Sequence, residues 1–171
     1  MLAVLAALAL AAEEQPGIRQ LEWLIGDWDF ADSSTSPTEP YEERGLRSCA
    51  YALDGQYIRC QSRGTSGGRT RTYVFYLNYN REERRFEMLS MWGNVPGKGF
   101  HVGSVSADGR RIELESERPY SEEGGPLRRA WAVISYDGVG SMTWESGSGP
   151  DGAARGEARY RDLARRRSAA P

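Results

Sequence analysis

The stretch GFHVGSVSADGRRIELES, Gly99 to Ser116, carries the only histidine of the chain, His101. A lone imidazole can move a proton near neutral pH, make one axial bond to a haem iron, or hydrogen-bond a ligand. It cannot build a two-histidine metal site of the H-E-x-x-H kind. The sequence also lacks a phosphate-cradling P-loop. No catalytic set emerges from these residues, so a binding role comes before an enzymatic one.

The second chemical signal is the pair of cysteines in CAYALDGQYIRC. Asp54-Gly55 is a type I′ turn signal between two strand-like runs. With those two residues as the loop, Tyr51 faces Ile58 and Cys49 faces Cys60. Directly opposed residues lie roughly 4.5–5.5 Å apart at Cα, within disulfide reach. An oxidising compartment would therefore close Cys49–Cys60, at the wider, hydrogen-bonded type of site.

The elements that must position these groups are short strands. From Gln20 to Leu163 no long helical period appears, and Gly-, Pro- and Asp-rich turns separate the apolar runs. The runs predict strands over 27–32, 44–53, 56–63, 69–79, 84–92, 99–107, 110–118, 128–136, 139–146 and 155–162, after a short helical turn within 18–25. About ten hairpin-linked strands favour a closed or nearly closed antiparallel up-and-down barrel, because closure removes exposed edges.

Turn register assigns the faces. With Asp108-Gly109 as loop, Val105 faces Ile112, Gly103 faces Leu114 and His101 faces Ser116. The opposite face carries Arg111, Glu113, Glu115 and Glu117, which must meet water. His101 therefore points inward. Around Asn80–Glu83, Leu77 faces Phe86, Phe75 faces Met88 and Tyr73 lies near Ser90. At Asp137-Gly138, Trp131 faces Trp144 and Val133 faces Met142. The expected inner wall is Tyr51, Ile58, Tyr73, Phe75, Phe86, Met88, Ser90, His101, Leu114, Ser116, Trp131 and Trp144. The carboxylates that these turns place on strands all face outward. Outer aromatics such as Tyr57 and Tyr76 suggest that something covers part of the barrel.

Composition narrows the partners. The formal charge is −2 and lysine occurs once, at Lys98. That balance offers no basic footprint for nucleic acid. The N-terminal apolar run, about eleven residues, is too short to span a bilayer and reads as a signal peptide over residues 1–12, with an A-x-A site at Ala9–Ala11. Periplasmic or secreted placement follows as an expectation, with no transmembrane segment. A barrel domain over 18–163 and a disordered basic tail over 164–171 complete the expected organisation. The oligomeric state is left open.

The segment LEWLIGDWDF, with Gly26-Asp27-Trp28 after a helical turn, resembles the G-x-W opening of lipocalins and their calycin relatives. Together with FYLNYNREERRFEMLSMW it is most similar to secreted bacterial lipocalin-like proteins of unknown function. The resemblance implies that Gly26 and Trp28 are structural, with Trp28 closing one barrel end under an arginine, here Arg159 or Arg161. Nitrobindin-type haem barrels are a second resemblance, although here Trp28 is followed by Asp29-Phe30-Ala31 rather than glycines.

The resulting expectation is an exported, non-enzymatic barrel holding a small apolar or amphipathic ligand, with no metal and no obligatory cofactor. One alternative is a haem barrel with His101 as axial ligand. Another is a structural or interaction barrel with a packed core.

Overall fold

A computed structural model describes residues 17–36, 38, 40–93, 95–121 and 124–168, with the side chains of 95 and 96 excepted. The expected signal segment lies outside the described residues. A 3-10 helix, Ile18–Leu24, precedes ten strands: β1 (Gly26–Ser34), β2 (Glu42–Ala52), β3 (Tyr57–Ser66), β4 (Arg69–Asn80), β5 (Arg85–Trp92), β6 (Val95–Val105), β7 (Arg111–Ser116), β8 (Arg128–Tyr136), β9 (Ser141–Pro150) and β10 (Tyr160–Arg166). Each strand pairs with its sequence neighbours, and β1 pairs with β10 to close the barrel. The all-β, up-and-down architecture read from the turn spacing is the observed one.

The 3-10 helix plugs the barrel end where β1 begins. Its Ile18, Leu21 and Leu24 are buried. Trp28 on β1 is fully buried and donates its indole N–H to the Leu24 carbonyl at 2.9 Å. Trp23 stacks on Tyr136 at 5.4 Å and donates to the Gly109 carbonyl at 2.7 Å, tying the β6–β7 turn to the plug. Around this end Ile58, Leu77, Ile112, Leu114 and Ile134 have no exposed surface. Burial at that depth leaves this half solidly packed.

Two hairpin registers agree with expectation. Cys49 pairs with Cys60 and Tyr51 with Ile58. The cysteines form a disulfide, with Cα atoms 4.1 Å apart, closer than the wider site expected. His101 pairs with Ser116 and Gly103 with Leu114.

Two others differ. In the β4–β5 hairpin Leu77 pairs with Met88, Phe75 with Ser90 and Tyr79 with Phe86, a slide of two residues that preserves every face. The β8–β9 hairpin slides by an odd number. Ile134 pairs with Trp144 and Tyr136 with Met142, so Trp131 and Val133 lie on the outer face. The cause is local. Asp137 Oδ1 accepts the backbone N–H groups of Val139, Gly140 and Ser141, and Gly138 and Gly140 take positive φ. That five-residue loop replaces a two-residue turn, and side chains alternate faces.

The last strand also lies further along the chain than expected. β10 runs to Arg166, so Ala164–Arg166 belong to the barrel rather than to a tail, and 169–171 lie outside the described residues. Tyr160, Asp162, Ala164 and Arg166 oppose inward residues of β1. The arginine over Trp28 is consequently Arg166, with its guanidinium 4.3 Å from the indole centroid. It also donates to the Trp23 carbonyl at 2.6 Å. Neither arginine expected in that role fills it. Arg161 points outward to Glu145, and Arg159 lies over the Tyr160 ring.

Candidate functional site

The inner face changes character along the barrel axis. The plugged half is apolar, and the half nearer the opposite rim is lined with polar groups. Arg47 on β2 sits at the boundary and is 5 % exposed. Its Nε donates to Ser62 Oγ at 2.9 Å, and Nη2 bonds the Asp162 carboxylate. The rings of Phe30, Phe75 and Trp144 surround the guanidinium, with centroids 5.0, 5.7 and 5.4 Å away. Phe75 meets Trp144 edge-on at 4.8 Å. Nη1 is buried without a partner among the described residues.

Beyond Arg47 three acidic residues form a row across adjacent strands. Asp32 on β1 is directly opposed to Asp162 on β10 and to Glu43 on β2. Glu43 is 1 % exposed and accepts hydrogen bonds from Tyr41 and, at 2.7 Å, from Tyr73. The Arg47 guanidinium pulls Asp32 downward, but Asp162 already engages that cation. Burial first, then the Asp162 and Glu43 charges, raise its carboxyl to about 7. Burial also raises Asp162, with Arg47 pulling the other way. The Tyr41 phenol is pushed up by burial and then by its bond to Glu43. Buried oxygens of Asp32, Glu43 and Asp162 have no donor among the described residues.

His101 faces the same interior from β6 and is 9 % exposed. Its Nδ1 is buried without a partner among the described residues, and burial lowers its pKa. Gly99 lets the ring lie down on the wall: a Cβ there would come within 3.1 Å of the imidazole and 2.8 Å of Ser90 Oγ. Ser116 Oγ accepts the Ala130 N–H at 3.1 Å.

The expected wall residues thus divide. Tyr73, Phe75, Ser90, His101, Ser116 and Trp144 face the interior, with Phe75 part of the buried apolar cluster and Trp144 packed against it. Ile58, Phe86, Met88 and Leu114 are inward in the same cluster, with Met88 directly opposite His101, and Tyr51 lies under the Arg19 guanidinium. Trp131 is on the other side of the wall. Arg47, Asp32, Glu43 and Asp162 were missed; the carboxylates that the turns did place, such as Glu113 and Glu115, lie on the outer face with Arg155, while these three face in. A signal existed: continuing the alternation of Tyr51 and Cys49 reaches Arg47, Gly45 and Glu43, and that of Trp28 reaches Phe30 and Asp32.

A metal-binding cluster of histidine, cysteine or carboxylate groups is not found among the described residues. Nor is any described helix long and apolar enough to cross a membrane. Residues 13–157 match the model of a family described as "Protein of unknown function (DUF1579)". The chain belongs to that family. No curated protein matches it. For this member of the family, function must be argued from the barrel itself.

Proposed function

We infer that the protein is an exported binding barrel that holds a small amphipathic molecule in its interior. One observation carries this reading: Arg47 Nη1 and His101 Nδ1 are buried, face the interior and have no partner among the described residues. Buried polar groups are nearly always hydrogen-bonded, because an unmet one costs about 1–3 kcal/mol. A ligand with a head group that accepts from Arg47, a body against Phe75 and Trp144 and a second polar group at His101 Nδ1 would satisfy both needs. The apolar contact would supply roughly 25 cal/mol per Å² before ordering costs. Export is supported by the disulfide, which persists in oxidising compartments. The lipocalin likeness fits the same reading, through the Trp28–Arg166 closure.

Haem fits these residues less well. An axial imidazole is normally oriented by an acceptor for its second nitrogen, and His101 Nδ1 has none. The Asp32–Glu43–Asp162 row would also repel haem propionates on that side of the interior.

Native mass spectrometry of protein purified from its own compartment, before and after solvent extraction, tests the proposal. A bound species should be lost on extraction, and a dansyl-labelled undecanoate should rebind to the stripped protein and bind less tightly to His101→Leu. Finding no bound species and no saturable binding of the probe would overturn it.

A further inference from the structure

The outer face of the barrel holds a second feature. The β9–β10 connection, residues 151–159, crosses the outside of β7–β10 as a strap. Arg155 pins it through Glu113 at 2.9 Å, Arg129 bonds Asp151 at 2.9 Å, and Thr35 bonds the Ala158 carbonyl. Beneath it Trp131 and Val133 are 7 % and 3 % exposed, although they occupy outward positions. Gly147 makes room for the indole, since a Cβ there would come within 2.9 Å of Trp131. The Arg155 guanidinium lies 5.1 Å from the Trp131 ring.

The strap does not fill the space it covers. A cavity of about 520 Å³ remains, with Arg111, Trp131, Val133, Glu145, Arg155 and Arg161 among its walls. That volume suits a small molecule and is far too small for a folded partner. Arg111 uses Nε for Glu113, and Arg161 uses Nε and Nη2 for Glu145. These bonds fix both guanidinium groups and leave each with further N–H groups to donate. Glu145 and Glu157 in the same wall oppose a highly charged anion. Trp131 Nε1 is buried without a partner among the described residues.

We propose that this strap-covered groove is a second binding site, separate from the barrel interior, that takes a small aromatic monocarboxylate. The ring lies against Trp131 and Val133, and the carboxylate is received by Arg111 and Arg161. The strap shifts enough on binding for Trp131 Nε1–H to reach a ligand acceptor.

The test is a titration of the full chain with 1-naphthoate, followed by amide and indole N–H resonances. Saturable shifts are expected at Gly156–Ala158 and at the indole signal that disappears in Trp131→Phe. The double variant Arg111→Gln/Arg161→Gln should weaken binding at least tenfold with thermal stability retained, and neutral 1-naphthamide should bind at least tenfold less tightly than naphthoate. The proposal is overturned if millimolar naphthoate gives no saturable shift, if the shifts map to interior residues such as His101 and Ser116, or if naphthamide binds equally well. An interior ligand would leave the strap signals unmoved, so the two sites fail or survive independently.

Discussion

Burial shifts both Asp32 and His101, and the two act on stability in opposite senses. Asp32 is held near pKa 7 in the fold, facing Asp162 from β10, Glu43 from β2 and the Arg47 guanidinium. The unfolded chain releases that proton near 4, so the folded state binds more protons in between. Its contribution is present below about pH 4 and is lost as pH rises toward 7. His101 is pushed the other way, so the unfolded chain binds more protons below about 6.5. Its contribution is present above that pH and is lost as pH falls through the folded value. Asp32→Asn should therefore flatten the loss of melting temperature between pH 5 and about pH 8. His101→Gln should flatten the acid side instead. A series of melting temperatures on both variants checks this; an unchanged slope in Asp32→Asn would place the proton elsewhere in the row.

At the scale of elements, the walls depend on close strand approach and on one covalent tie. β6 passes so near β7 that a Cβ on Gly103 would lie 1.8 Å from the Glu113 carbonyl oxygen. Because backbone cannot yield as a side-chain tip can, Gly103→Ala should cost about 1–3 kcal/mol in urea unfolding. Gly149→Ala on β9, where a Cβ meets nothing within 4 Å, should change stability by less than about 0.5 kcal/mol. Removing the disulfide as Cys49→Ala/Cys60→Ala should cost about 2–3 kcal/mol, and a reductant should lower the wild type toward the variant. Equal stability of the reduced and oxidised protein would assign the tie no role in the native wall.

For the whole molecule, closure is the decisive property. The β1–β10 ladder runs from Trp28↔Arg166 to Ser34↔Tyr160. Truncation after Asp162 removes the partners of Trp28, Asp29, Phe30 and Ala31 and the guanidinium over Trp28. Open edges recruit other strands, so the truncated chain should associate in light scattering and bind a hydrophobic dye. Truncation after Arg166 keeps the ladder and should remain like the full chain.

Much of this was legible in the sequence, and the limits have a common physical origin. DG turns and apolar alternation determined the all-β class, the strand number, the Cys49–Cys60 pairing and the inward aim of His101, because a tight turn fixes register locally. The β8–β9 loop escaped because Asp137 gathers three N–H groups and lengthens the turn by an odd count, which sent Trp131 outside. β10 was hidden because Tyr160, Asp162, Ala164 and Arg166 carry no apolar alternation, and their inward aim depends on pairing with distant β1. The sequence by itself thus settled the barrel and one wall of its interior. Only the closed tertiary structure decided which charges were buried, since Asp162 joins Asp32, Glu43 and Arg47 through the β1–β10 closure, between the two ends of the chain.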